Sequence, residues 1–163
     1  QQRQLTERAI HHYHPYETPV YDFIELNKEG NYGLGIMGEL KEPMKIEDFV
    51  EQVKRQLQIP SVRYVGNSNA MISKVAMIGG SGIGFEYKAA QLGADIFITG
   101  DIKHHDALDA KIEGINLLDI NHYSEYVMKE GLKLLLQEWL LEENSNDIKV
   151  VASNINTDPF TYI

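Results

Sequence analysis

The fold is decided by residues 74–101, which read KVAMIGGSGIGFEYKAAQLGADIFITGD. An apolar run leads into a glycine-rich turn, a helical stretch follows, and a second apolar run closes the segment. This order predicts a strand, a turn, a helix and a second strand, the unit from which parallel sheets are built. Residues 104–121, HHDALDAKIEGINLLDIN, add another helix and strand. We therefore predict an α/β fold with a mainly parallel sheet and flanking helices.

Further elements are predicted on both sides of this unit. Apolar residues at helical spacing predict helices at 45–59 and 122–143, and the second carries a leucine-rich stripe that we expect to face the core. Alternating apolar residues predict strands at 20–26, 61–67 and 148–153.

The organisation of the chain follows from its polar breaks. The stretch NKEGNYG, residues 27–33, marks a boundary between a first domain, 1–28, and a second, 29–163. Before it, HHYHPYETP predicts a loop, although its three His residues also suit a metal. The chain starts in a helical pattern without an initiator Met, so we expect it to belong to a longer protein.

Composition excludes several classes of function. Lys and Arg number 15 against 24 Asp and Glu, a net charge of −9, so a general nucleic-acid backbone binder is not expected. The absence of Cys excludes disulfides, thiolate metal ligands and Cys nucleophiles. No apolar run is long enough to cross a bilayer. We expect a cytoplasmic protein with no membrane partner.

Candidate functional residues follow three predicted strands. GGSGIG occupies residues 79–84, TGDIKHHD 99–106 and DINHYSE 119–125. Ligands of open α/β sheets bind beyond the carboxyl ends of the strands. The shared position of these three stretches therefore predicts one functional site.

His122 and Glu125 form the first candidate pair. Three residues apart at a helix start, they lie on one helical face, and imidazole with carboxylate suits a divalent metal such as zinc, iron or manganese. The plain alternative is a helix capped by Asn121 with a solvent-facing Glu125.

The other two stretches also allow two interpretations each. Asp101 with His104 and His105 could orient ligands or transfer protons, or Asp101 could simply cap a helix. The loop of Gly79, Gly80, Ser81 and Gly82 could bind an anion through its backbone N–H groups, or could be only a tight turn.

The motifs together resemble a known family. HPYE, VYDFIEL, GLGIMGEL, IGGSG, DIFITGDIKHHDA and LLDINHYSE, in this order, resemble the NIF-three-like family over nearly the whole chain. Its bacterial members are commonly called GTP cyclohydrolase type-2 homologues. The resemblance implies half of a two-lobed α/β metal domain, with residues 1–28 as the tail of an inserted domain similar to the PII and CutA proteins. It also implies a homohexamer.

The resemblance further implies a set of metal ligands. His122 and Glu125 would contribute to a site for two divalent ions, with zinc as the first candidate and iron or manganese as alternatives. A His-His pair and an Asp from the other half of the domain, absent from this sequence, would complete it. Asp101 and His105 would line the same cavity, and their direct coordination is not implied.

Two functions are consistent with such a centre. The first is a metal-dependent hydrolase that acts on a nucleotide-like small molecule, as the GTP cyclohydrolase name implies. The second is a non-catalytic metal-handling or regulatory hexameric scaffold. The sequence identifies neither a guanine-binding pocket nor the metal, so catalysis itself stays open at this stage.

Overall fold

The computed structural model describes residues 2–24, 33–145 and 147–161. The chain divides into two compact units, Gln1–Gly33 and Leu34–Ile163. The boundary placed between residues 28 and 29 lies outside the described residues, and the assignment of the first segment to an inserted domain stays a prediction.

The described residues of the first unit, 2–24 and 33, contain one helix. Helix α1 spans Gln2–Tyr13, so it includes part of the predicted His-rich loop. The Tyr21 hydroxyl lies 3.3 Å from Nε2 of His11. A strand was predicted at 20–26, but residues 20–24 do not form one, and residues 25 and 26 lie outside the described part. The alternation was misleading because a strand needs a partner for its backbone groups, and Val20 is instead 96% exposed.

The second unit is built on a five-stranded sheet with the order β1-β3-β4-β5-β2. Its strands are β1 Ile36–Lys45, β2 Arg63–Val65, β3 Met71–Met77, β4 Ile96–Thr99 and β5 Leu117–Asp119. Its helices are α2 Ile46–Leu57, α3 Glu86–Gln91, α4 His104–Ile112 and α5 Met128–Glu142, with a 3-10 helix at His122–Val127. The α/β class is confirmed.

Parallel pairing is confined to the centre of the sheet. Strand β4 pairs in parallel with β3 and with β5. The edge strands β1 and β2 run antiparallel to their neighbours, so the sheet is mixed. Strand β1 contains Pro43, and its register shifts between Glu39 and Met44. An edge strand tolerates both features because one of its sides makes no ladder hydrogen bonds.

Side chains that alternate along the central strands divide the core into two layers. Ile96, Ile98 and Leu118 pack with Phe49 of α2 on one face of the sheet. Phe97 and Leu117 pack on the other face with residues of α3 and α4, Ala89 and Ala110. The near-continuous apolar runs of the sequence follow from this burial on both faces.

Two predictions about the end of the chain are wrong. Helix α5 has no buried residue, and Leu135 and Trp139 are 62% and 56% exposed, so its apolar stripe does not face the core. Residues 148–153 are not a strand, because no neighbouring strand pairs with them and Val151 is 69% exposed. Among the helices of the described residues, none has the length and apolar character needed to span a membrane.

Replacement of the buried Ile72 tests this core. Ile72 is fully buried, whereas Ile112, at the end of α4, is 74% exposed. We expect Ile72→Ala to lower the free energy of unfolding by about 2–5 kcal/mol through lost burial and a cavity. The same change at Ile112 should stay within about 0.5 kcal/mol. Denaturant unfolding compares the two, and equal losses would contradict the core assignment.

Candidate functional site

Three loops meet beyond the carboxyl ends of β3, β4 and β5. The N–H of Gly100, after β4, donates to the carbonyl of Gly80, after β3, at 2.7 Å. A Cβ on Gly100 would lie 3.0 Å from the backbone nitrogen of His122, which follows β5. Gly100 therefore allows the three loops to approach closely, and the predicted convergence of their residues has a backbone cause.

His122 is the centre of a cluster of three side chains. Its Nδ1 lies 2.6 Å from Oδ2 of Asp101, and its Nε2 lies 3.4 Å from Oε2 of Glu125. His122 and Glu125 belong to the 3-10 helix rather than to an α-helix. Because this helix has about three residues per turn, side chains three apart eclipse each other. The predicted pair therefore faces in one direction.

The loops that carry this cluster contain two unusual backbone conformations. Asp101 has a φ of 57° and Asn121 a φ of 69°, values that non-glycine residues seldom adopt. Capping by Asn121 was the plain alternative for this stretch, but the side chain of Asn121 makes no capping hydrogen bond to the 3-10 helix. Its carbonyl instead accepts a hydrogen bond from the Ser124 hydroxyl at 2.7 Å. Both residues thus turn the chain where a site residue must be presented.

The charge state of His122 is set by its neighbours. Its pKa is raised, first by the hydrogen bond to Asp101 and then by the charge of Asp101. Partial desolvation opposes the rise, and the charge of Glu125 adds a smaller increase. At a pH above this raised pKa, a proton on Nδ1 would be held by Asp101, and the lone pair of Nε2 would face Glu125.

The glycine loop forms the floor beneath the pair. A Cβ on Gly80, whose φ is +62°, would lie 2.7 Å from Oε1 of Glu125, whereas one on Gly79 would lie at 3.6 Å. The N–H of Gly82 donates to Oγ1 of Thr99 at 2.7 Å. Ser81 is exposed. Since a carboxylate covers part of the loop, this geometry does not support an anion there, and anion binding stays a prediction.

His105 is an exposed residue with a ring contact to its neighbour. It is exposed in the first turn of α4, and its ring makes an edge-on contact with His104, at 5.5 Å between centroids. No hydrogen bond or ion pair within the described residues joins it to Asp101, His122 or Glu125. Its place in the cavity stays a prediction from the family resemblance.

Two buried polar residues support the site and were not singled out from the sequence. Thr99 and Asp119, the last residues of β4 and β5, are 0% and 4% exposed. Thr99 donates through its hydroxyl to the carbonyl of Gly80 at 3.0 Å, and Asp119 accepts the N–H of Asn121 at 3.0 Å. The available signal was a polar residue closing an apolar run, as in IFIT and LLD.

The chemistry of these donors fits part of a metal shell. Nε2 of His122 and the carboxylate of Glu125 are suitable ligands, and a carboxylate behind the imidazole is the usual outer partner of such a His. Across residues 2–24, 33–145 and 147–161, no group of three or more His, Asp or Glu side chains is arranged to hold a metal ion. Within the described residues, the cluster at His122 therefore offers two donors and one orienting group.

Fold and site define an α/β protein with an imidazole-carboxylate pair at the carboxyl edge of its parallel strands. A family model described as Duf34/NIF3 (NGG1p interacting factor 3) matches residues 2–159, and the chain belongs to this family. The predicted membership of the NIF-three-like family is confirmed, whereas the PII-like insert stays a prediction.

The similar proteins are longer than this chain. A Staphylococcus epidermidis protein named GTP cyclohydrolase 1 type 2 homolog is 66% identical over 159 residues, 98% of this chain and 43% of that protein. A Staphylococcus aureus crystal structure matches with a TM-score of 0.81 and 63% identity, over 99% of this chain and 52% of that one. The crystal structure of a Bacillus cereus protein related to NIF3 matches with a TM-score of 0.76 and 37% identity, over 99% of this chain and 44% of that one. The chain spans less than half the length of the curated relative.

The glycine floor can be tested with a matched pair of substitutions. We expect Gly80→Ala to lower the free energy of unfolding by about 1–2 kcal/mol, because Ala disfavours a positive φ. Its Cβ should also displace Glu125. Gly79→Ala, without either conflict, should change stability by less than about 0.5 kcal/mol. Denaturant unfolding and a crystal structure measure the effects, and equal stability of the two variants would contradict this description.

The pKa of His122 in the metal-free protein provides a second test. Asp101→Asn removes both the hydrogen-bonded carboxylate and its charge, so we expect the pKa to fall towards its ordinary value. Glu125→Gln should lower it less, since Glu125 contributes the smaller rise. NMR titration of the His ring signals measures both changes. A pKa that is lower in Glu125→Gln than in Asp101→Asn would refute the assigned order.

Proposed function

We propose that this chain supplies one side of a divalent-metal centre in a metal-dependent protein. The observation that carries the proposal is the cluster of His122, with Nδ1 held by Asp101 at 2.6 Å and Nε2 directed to Glu125 at 3.4 Å. A hydrogen bond at one ring nitrogen fixes the neutral tautomer and leaves the other nitrogen as a ligand. His122 and Glu125 would hold the metal, and Asp101 would orient His122.

The cluster is half-exposed, which suits a site that other groups complete. The side chains of His122, Asp101 and Glu125 are 55%, 51% and 48% exposed. A transition metal takes about four to six donors. We propose that the remaining donors come from the other half of the longer protein, and that the complete centre holds two ions, with zinc first and iron or manganese as alternatives.

The cavity beside the pair supports a small-molecule ligand. It has a volume of about 640 Å³, and its walls include His122, Tyr123, Glu125, Lys129 and Phe160. Small-molecule sites are mostly apolar with a few directed polar groups. The cavity, together with the name GTP cyclohydrolase 1 type 2 homolog that the relatives carry, supports a hydrolase of a nucleotide-like small molecule. A divalent metal would supply Lewis-acid chemistry there, while the aromatic walls would bind the substrate and limit its access to water.

Further parts of the proposal rest on the family resemblance alone. These are the homohexamer and the origin of the first unit as the tail of a PII-like insert, whereas the cytoplasmic location stays the expectation drawn from the sequence. The non-catalytic scaffold is separated from the enzyme by turnover. Hydrolysis of a nucleotide by the complete, metal-loaded protein, abolished in His122→Ala, supports the enzyme. Retained metal binding without turnover on a nucleotide panel supports the scaffold.

Metal titration of the complete protein tests the ligand assignment. We expect His122→Ala and Glu125→Ala each to weaken zinc binding by at least about 10- to 100-fold, since losing a ligand should cost no less than losing an outer-sphere partner. His104→Ala is the control, because His104 is an exposed imidazole outside the cluster. Wild-type stoichiometry and affinity in both His122→Ala and Glu125→Ala would end the assignment.

A further inference from the structure

Asp119 connects the two loops that carry Asp101 and His122. Its Oδ2 accepts the N–H of Ile102 at 3.3 Å, and its Oδ1 accepts the N–H of Asn121 at 3.0 Å. Ile102 follows Asp101 directly, and Asn121 directly precedes His122. One buried carboxylate thus fixes the backbone on both sides of the hydrogen bond between Asp101 and His122.

Arg63 holds this carboxylate in place. It lies opposite Asp119 in the antiparallel pairing of β2 with β5, and its guanidinium donates to Oδ2 of Asp119. The same nitrogen donates to the carbonyl of Ile102 at 2.8 Å. Asp119 is 4% exposed, so an unpaired charge there would be costly. The pair therefore also restrains the loop of Asp101.

From this geometry we infer that Asp119, held by Arg63, is a positioning residue for the His122 imidazole. Among the described residues, Asp119 forms no hydrogen bond or ion pair with the side chain of His122 or of Asp101. It acts by keeping their two loops at the separation that allows Nδ1 of His122 to donate to Asp101. Only the expected effect on metal affinity rests on the proposed function. The positioning role itself does not, because the hydrogen bond between His122 and Asp101 forms without a metal.

A purely structural role is the competing explanation. Any carboxylate that accepts two backbone N–H groups stabilises its surroundings, and its loss lowers stability. Asp95 provides the matched case, since its Oδ2 accepts the N–H groups of Ser73 at 2.8 Å and Lys74 at 2.7 Å. It precedes β4, whereas the site lies beyond the other end of that strand. A structural role alone predicts similar consequences for the two residues.

The experiment compares Asp119→Asn with Asp95→Asn in the metal-free full chain. An amide at residue 119 has a single acceptor oxygen, so its NH2 group must face either the N–H of Asn121 or the N–H groups of Ile102 and Arg63, and two donors then oppose each other. We expect the Nδ1–H signal of His122, assigned by its loss in His122→Gln, to disappear or shift in ¹⁵N-detected NMR of Asp119→Asn. Asp95→Asn should keep the wild-type signal even where its stability falls.

A replacement variant and two possible outcomes complete the test of the positioning role of Asp119. If Asp119→Asn does not fold, the double variant Arg63→Met with Asp119→Asn replaces it, since it leaves no unpaired buried charge. A wild-type His122 signal in whichever of these variants folds overturns the inference, as does the same loss of signal in Asp95→Asn.

Zinc titration of the complete protein separates this inference from the proposed function. We expect Asp119→Asn to weaken zinc binding by about 10- to 100-fold, as changes to outer-sphere partners commonly do. If wild-type protein binds no zinc while the His122 signal still depends on Asp119, the proposed function fails and the positioning role stands. If zinc binding is strong in Asp119→Asn and its His122 signal is unchanged, the positioning role fails and the metal site stands.

Discussion

The site depends on the parallel pairing of three short central strands. Strand β4 has four residues and β5 has three, yet both are buried and paired on each side. Parallel pairing brings the carboxyl ends of β3, β4 and β5 to one edge, so the loops that contribute to the site begin side by side, about 4.8 Å apart for neighbouring strands. Antiparallel pairing at either position would send one of these loops to the opposite edge.

Buried polar groups convert that proximity into a defined geometry. Thr99 ties the glycine loop to β4, and Asp119 ties the loop after β4 to the loop after β5. Both lie at strand ends, where the regular ladder stops and the next N–H groups need new acceptors. No buried side-chain nitrogen or oxygen in the described residues lacks a hydrogen-bond partner. Precision at the site thus comes from the same groups that satisfy the strand ends.

The sequence predicted the parts of the molecule that follow from local pattern. The βαβ order, the helices α2 and α4 and the pairing of His122 with Glu125 all arise from spacing along the chain. It could not predict features that depend on distant partners. The apolar residues of 148–153 look like a strand, but a strand exists only where a neighbour accepts its hydrogen bonds. Likewise, Asp119 and Arg63 are 56 residues apart, and only the β2-β5 register brings them together.

The site residues do not hold themselves together. His122, Asp101 and Glu125 are each about half exposed, and ion pairs so open to water contribute little to stability. Their loops also contain Asp101 and Asn121 at positive φ, a conformation that costs free energy in non-glycine residues. Because weak mutual attraction cannot stabilise an unfavourable backbone, the arrangement must be imposed by the hydrogen bonds beneath it. Unfavourable conformations that the surroundings enforce are typical of functional sites.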